Sequence, residues 1–274
     1  GSIIALGEVP QGLLAHITIL HASSVLFFMC SWNALNDIYD FEIDLVNRPD
    51  RPLPSGRISL NHAKTATAIT MISSILSIAL CYWLISGSNP VEGFEVSDWY
   101  PSLAIWIIAL ILLINYEFPF GLRLKDKGLP GNISISISVG LVVVFGASAV
   151  FEPFSEKAWS LFFVGIFYNT SREIIKDVQD MEGDKGRNTL AMRIGSENAR
   201  TVAWVMSILA LASVLLPFAI GIFPPLHVVL VIPAVMTLMM VKGRIIIGED
   251  AAASSLLKKS MLLCLVALLT SSLI

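Results

Sequence analysis

The chain has 274 residues, of which 55% are hydrophobic and 14% charged, and its mean hydropathy is +0.76. A soluble globular domain carries about 25% charged residues, so a soluble fold is excluded and a polytopic membrane protein indicated. The net charge of −3 carries no basic signature of nucleic-acid binding, and Cys30, Cys81 and Cys264 lie in apolar runs without C-x-x-C spacing, as packing residues do.

Apolar runs of roughly 20 residues are long enough to span a bilayer. About eight are predicted, at 13–36, 62–86, 99–118, 131–150, 157–176, 201–221, 225–241 and 256–274. No signal peptide precedes the first, and the opening GSIIALGEVP reads as the end of an element already under way. The connections are short except near 45–60, 87–98 and 181–199, too short for separate domains. The expectation is an all-α polytopic membrane helix bundle forming a single domain over 1–274.

The basic residues are distributed unevenly. Of the 18 Lys and Arg, 17 fall in or beside the alternate connections that follow the first, third, fifth and seventh runs, leaving only Lys157 for the other side. The opposite loops carry Glu92, Glu95, Asp98, Glu152 and Glu156. By the positive-inside rule the basic side faces the cytoplasm of a cell-membrane protein.

The first run ends in NALNDIYDFEIDLVNRPDRPLPSGR, Asn33 to Arg57. Asp37, Asp40 and Asp44 are spaced by 3 and 4, which in a continuous helix places them on one face. The spacing returns at Asp177, Asp180 and Asp184, at a constant offset of 140. Both acidic stretches end runs that travel in the same direction, so the repeat is parallel, whereas many transporters carry inverted repeats. Two acidic helix ends, each followed by a basic loop, read as one site built from two halves.

Clustered carboxylates near a membrane are costly without a partner. Hard oxygen ligands suit Mg²⁺, which is commonly held by one or two carboxylates, waters and substrate phosphates. His and Cys are absent from both clusters, which argues against Zn²⁺. Arg48, Arg51, Lys125, Lys185 and Arg187 supply anion-binding groups nearby. Acids for a metal and bases for an anion, at the mouth of an apolar bundle, fit a lipid diphosphate. An allylic diphosphate can ionise to a carbocation and diphosphate, with Mg²⁺ and the basic residues stabilising the leaving group and an apolar wall excluding water.

N-D-x-x-D-x-x-x-D followed by N-R-P-x-R-P-L-P-S-G, Asn36 to Gly56, resembles the first signature of the UbiA superfamily of intramembrane prenyltransferases. D-x-x-D-x-x-x-D with a following K-G-R-x-T-L, Asp177 to Leu190, resembles the second, and Leu124 to Asn132 gives a third match. R-E-I-I-K-D-V-Q-D-M-E-G-D-K, Arg172 to Lys185, is most similar to the archaeal branch, whose members transfer a geranylgeranyl group to geranylgeranylglyceryl phosphate. The resemblance implies nine transmembrane helices, two Mg²⁺ ions, and cytosolic cap loops near 45–60, 121–130 and 181–199; the family's first helix has no counterpart ahead of Gly7. It implies Asn36, Asp40 and Asp44 on one metal and Asp177, Asp180 and Asp184 on or near the other, with Asp40, Asp44, Asp180 and Asp184 the catalytic carboxylates. Asn36, Arg48, Arg51, Lys125, Lys185 and Arg187 would bind substrate. The Tyr that often precedes the lysine by about five positions is Phe120 here, with Tyr116 a substitute.

The implied substrates are a prenyl diphosphate and a lipid-phosphate acceptor taken from the membrane, with no obligate protein partner. Three rivals remain at this stage. An aromatic acceptor such as 4-hydroxybenzoate or homogentisate keeps the chemistry. A proton- or cation-coupled transporter predicts midplane acids and inverted repeats. A lipid-binding scaffold predicts binding without turnover. Blander roles also fit single residues: Arg48, Arg51, Arg57 and Lys64 as membrane anchors, Lys125 as a helix cap, and Arg172 and Lys176 as neutralisers of Asp177 and Asp180.

Overall fold

The computed structural model describes residues 1–87, 94–184 and 186–274. Two sequence expectations, the substrate-binding assignment of Lys185 and half of the long connection near 87–98, lie outside those residues. The described residues contain helices and no strand. Eleven α-helices follow in order: α1 Ser2–Leu6, α2 Gly12–Tyr39, α3 Phe41–Asn47, α4 Leu60–Gly87, α5 Tyr100–Glu117, α6 Leu129–Ser148, α7 Glu156–Gln179, α8 Leu190–Ile194, α9 Ser196–Ala219, α10 Ile232–Ile246 and α11 Asp250–Leu273.

Eight of these helices correspond to the eight apolar runs. Among the described residues, seven helical segments are long and apolar enough to cross a membrane: α2, α4, α6, α9, α11, and α5 and α10 each with the 3₁₀ turn before it. α7 is equally long, but its last two turns carry Arg172, Glu173, Lys176 and Asp177, so it falls short on composition. It is instead the buried centre of the bundle, packed on α6, α9 and α11. The apolar faces of the other long helices look outward, as Trp83, Leu76, Met236 and Leu262 do, which suits hydrocarbon as surroundings. α9 and α11 start five or six residues earlier than hydropathy places them, because their first turns are polar (Ser196–Arg200 and Asp250–Ser255) and bound by Arg200, which donates to both oxygens of Asp250.

Small and hydroxyl residues hold the helices together, as expected where lipid gives no hydrophobic drive for helix association. Gly140 of α6 faces α7 so closely that a Cβ there would lie 2.8 Å from the Phe162 ring. Ser24 meets Ser74 at 3.0 Å between α2 and α4, Ser102 meets Ser148 at 2.8 Å between α5 and α6, and Tyr168 meets Ser260 at 2.8 Å between α7 and α11. These contacts hold the long helices against one another along the bundle, while the site lies at the C-terminal ends of α2, α5 and α7 and the N-terminal end of α6.

Candidate functional site: a carboxylate-rich pocket

The two acidic stretches do not run as continuous helices. α2 stops at Asp40 (φ −93°, ψ 11°), whose N–H bonds to the Asn36 carbonyl, and the chain resumes in α3 with Asp44 on its first turn. α7 stops at Asp180 (φ −93°, ψ 4°), whose N–H bonds to the Lys176 carbonyl, and Asp184 follows in a turn. The expected single helical face is therefore broken at the middle acid of each half. The break turns Asp44 and Asp184 inward, where they are 5% and 2% exposed. It also places acids at helix C-termini, the negative end of the helix dipole, where they need cations beside them.

Those cations are present. The loop after α3 sends Arg51 to Asp44 (2.5 Å) and Asp37 (2.9 Å), and Arg48 across to Asp180 (2.6 Å). The turn before α6 brings Lys125 to Asp40 (2.8 Å) and Glu117. Arg187 joins Asp184 (2.9 Å) to Asp126 (2.8 Å). Burial raises the carboxyl groups of Asp44 and Asp184 above the usual range, opposed by Arg51 and Arg187 respectively. Neutralising partners on these carboxylates are thus favourable.

Of the residues singled out in the sequence, Asn36, Asp40, Asp44, Arg48, Arg51, Lys125, Asp177, Asp180, Asp184 and Arg187 all line one polar pocket. Tyr116 also lines it, whereas Phe120 is 77% exposed. Asp37 is absent from the lining and holds Arg51 from outside. Arg57 stays in its own loop, donating to the Asp50 carbonyl. His21 is buried on the Ile17 carbonyl, and Cys81 and Cys264 are buried free thiols, as packing roles require, whereas Cys30, expected to pack as well, is exposed.

Four polar groups escaped the sequence reading. Glu117 is 1% exposed and accepts from Lys125 and from Asn36 (3.0 Å). Glu173 lines the pocket and binds Arg172 and Lys176 at 3.0 and 2.8 Å. Asp126 accepts from Arg187. Asn47 ties the halves together: its Nδ2 donates to the Asp180 carbonyl (3.1 Å) and its Oδ1 accepts from the Gly183 N–H (2.9 Å). Asn47, Asp126 and Glu173 lie inside the matched motif stretches without a role assigned to them, and Glu117 was signalled by a charge closing the apolar run IALILLINYE.

Among the described residues no three His, Cys, Asp or Glu side chains converge closely enough to form a complete metal cage. The donors are nonetheless oxygen-only and face a common space, and Asn132 has a buried Oδ1 without a partner while its Nδ2 donates to Asp177 (3.0 Å). This donor set fits Mg²⁺ shared between protein, water and a phosphate. On the same helices, about one to four turns deeper, Val25, Phe28 and Met29 of α2, Trp106 and Leu113 of α5, and Leu141 and Phe145 of α6 line a small, mainly apolar cavity.

The profile of the UbiA prenyltransferase family matches residues 1–266. The chain is 33% identical to the digeranylgeranylglyceryl phosphate synthase of Methanopyrus kandleri over 274 aligned residues, covering 98% of this chain and 92% of that one. A solved structure concerned with digeranylgeranylglyceryl phosphate synthase in membranes superposes with a TM-score of 0.68 at 27% identity, covering 99% of this chain and 90% of that one. A UbiA homologue from Archaeoglobus fulgidus, solved bound to GPP and Mg²⁺, superposes with a TM-score of 0.53 at 16% identity over 97% of this chain and 93% of that one, a likeness of fold. The acid-lined pocket at the ends of α2 and α7 therefore sits in an integral membrane protein that belongs to the UbiA prenyltransferase family, and the chain is a prenyltransferase.

Proposed function

We propose that this prenyltransferase moves a geranylgeranyl group from geranylgeranyl diphosphate to a glycerol hydroxyl of geranylgeranylglyceryl phosphate, building archaeal ether lipid. One observation carries the reading: a pocket lined by six acids and five bases opens above an apolar cavity on the same three helices. The synthases among its relatives supply the acceptor. In this reading the pocket faces the cytoplasm, which the one-sided distribution of basic residues supports. The stretches near 45–60, 121–130 and 181–199 act as its cap, within one functional unit over 1–274.

In this reading Asn36, Asp40 and Asp44 hold one Mg²⁺ and Asp177, Asp180 and Asp184 the other. Bound there, Mg²⁺ supplies neutralisation of charge on the leaving diphosphate. Arg48, Arg51, Lys125 and Arg187 exchange part of their carboxylate contacts for phosphate oxygens, and Lys185 is assigned the same role on its sequence position. The prenyl tail lies against Phe28, Trp106, Leu113 and Phe145, which keep water from the allylic carbon. The bond from that carbon to the diphosphate oxygen breaks with its electron pair on oxygen. The acceptor hydroxyl oxygen then bonds to the carbon and releases its proton.

Diphosphate release by the purified protein tests this. With geranylgeranyl diphosphate and Mg²⁺, geranylgeranylglyceryl phosphate is expected to stimulate release and 4-hydroxybenzoate is not. Stimulation by the aromatic acid alone would replace the lipid acceptor with a quinone precursor. No stimulation by either would overturn the proposed reaction.

A further inference from the structure

Asp40, Lys125, Asn36 and Glu117 form a closed ring. Lys125 Nζ donates to Asp40 Oδ1 at 2.8 Å and to Glu117. Asn36 Nδ2 donates to Asp40 Oδ2 at 2.9 Å and to Glu117 Oε2 at 3.0 Å. Two donors thus bridge the same two carboxylates. The side chains of Glu117 and Lys125 are 0% and 4% exposed, against 16% for Asp40. Asp40, Lys125 and Asn36 line the polar pocket, and Glu117 does not. Glu117 is set behind them and cannot touch a ligand in the pocket without displacing them.

We infer that Glu117 is a positioning residue that frees Asp40 for a divalent cation by serving as the alternative partner of Lys125 and Asn36. The inference rests on the Mg²⁺ and diphosphate reading above. Both oxygens of Asp40 are occupied by these two donors. A cation arriving at Asp40 competes with a lysine that is almost wholly buried, and a buried charge must keep a counter-charge. Glu117 supplies one on the side away from the pocket. Lys125 therefore keeps a carboxylate partner and stays in place while Asp40 turns to the metal. Its ammonium, 5.9 Å from the Tyr39 ring centroid, remains at the pocket wall for a phosphate. Without the Glu117 carboxylate, Asp40 is the lysine's only ring carboxylate, and metal and lysine compete for it directly.

The test uses the full chain in detergent, comparing wild type with Glu117→Gln and Glu117→Asp. Thermal unfolding with geranylgeranyl diphosphate gives the Mg²⁺ concentration for half-maximal stabilisation, and equilibrium binding in EDTA gives metal-free diphosphate affinity. Groups that orient metal ligands typically change metal affinity 10- to 100-fold when removed. Glu117→Gln is expected to raise the Mg²⁺ requirement about tenfold or more. Metal-free diphosphate binding should not weaken, because the site has lost one negative charge. Glu117→Asp, which keeps the carboxylate, should return most of the Mg²⁺ response. An unchanged Mg²⁺ requirement in Glu117→Gln overturns the inference. So does a parallel loss of Mg²⁺ response and metal-free affinity, which is what a purely structural role predicts. If Glu117→Gln fails to fold, Glu117→Gln combined with Lys125→Gln removes the buried charge pair as a unit. That variant should match Lys125→Gln alone in Mg²⁺ requirement, and a larger requirement overturns the inference. A wild-type protein indifferent to Mg²⁺ and diphosphate would instead remove the functional reading on which this rests.

Discussion

The ends of α2 and α7 share a backbone and differ in their partners. Asp40 and Asp180 cap their helices at nearly the same φ and ψ, and each accepts at its carbonyl from the N–H of the acid four residues on, at 2.8 and 3.0 Å. The first half is compensated largely by its own loop and the turn before α6: Arg51 for Asp44, Lys125 and Asn36 for Asp40. The second half draws on the first. Arg48 and Asn47, both from the chain after α2, bind Asp180 by side chain and carbonyl. The turn before α6 serves both, with Lys125 turned to one half and Asp126 reaching the other through Arg187. A doubled turn thus became one site through an asymmetric set of ties between its copies.

Equal chemistry in the two halves requires equal loss when either capping acid is neutralised. Asp40→Asn and Asp180→Asn should each cut prenyl transfer by about 10²–10³-fold or more, as removing a group that stabilises the leaving charge does. Both should remain folded, because an amide of the same size still accepts from Lys125 or Arg48. Diphosphate release and thermal unfolding measure the two quantities. A variant with near-normal turnover would remove that half from the chemistry.

The ties between halves give the next largest effect. A Cβ at Gly183 would meet the Asn47 side chain at 2.4 Å. Gly183→Ala should therefore push Asn47 off the Asp180 carbonyl, costing about 1–3 kcal/mol as overpacking does. The expected readout is a lower melting temperature together with reduced transfer. Asn47→Ala removes the same tie without the clash, and because the Asp180 carbonyl keeps the Gly183 and Asp184 N–H groups at 3.1 and 3.0 Å, the cost should be that of a hydrogen bond lost rather than of a stranded group, about 0.5–1.5 kcal/mol. If Gly183→Ala lowers stability and Asn47→Ala does not, the clash matters and the tie does not.

The bundle was legible in hydropathy because each long helix meets lipid on part of its surface. Even α7, too polar by the end to pass as a span, was marked by its first four turns. The acidic halves were legible because carboxylate spacing is a sequence property. The ties were not. Asn47 opens the N-R-P-x-R-P stretch and Glu117 closes an apolar run, but Asn47 acts on residues 133 and 136 positions away and Glu117 on one 81 positions away, and nothing local names those partners. The breaks at Asp40 and Asp180 escaped for another reason. Nothing at either position forbids helix, and the turn is stabilised by cations that the rest of the fold delivers. The short helices α3 and α8 were equally silent, being too short to show a period, and α1 showed only as the end of an element in GSIIALGEVP.

The smallest predicted effect distinguishes spacing from geometry. Asp37 and Asp177 are counterparts at the offset of 140, so a reading by pattern gives them one role. In the structure Asp177 lines the pocket, held by Asn132. Asp37 is 37% exposed at its side chain and accepts from the outer side of Arg51, which keeps Asp44 as its closer partner at 2.5 Å. Removing the charge at Asp37 leaves Arg51 paired and the pocket lining intact. An exposed pair of this kind contributes about 0.2–1 kcal/mol, so Asp37→Asn should change transfer by no more than about fivefold. Asp177→Asn alters a donor facing the pocket and should cost at least about tenfold more. Matched kinetics of the two variants decide the question. Equal losses would mean that Asp37 turns into the site during turnover, and the two halves would then be alike in function as well as in spacing.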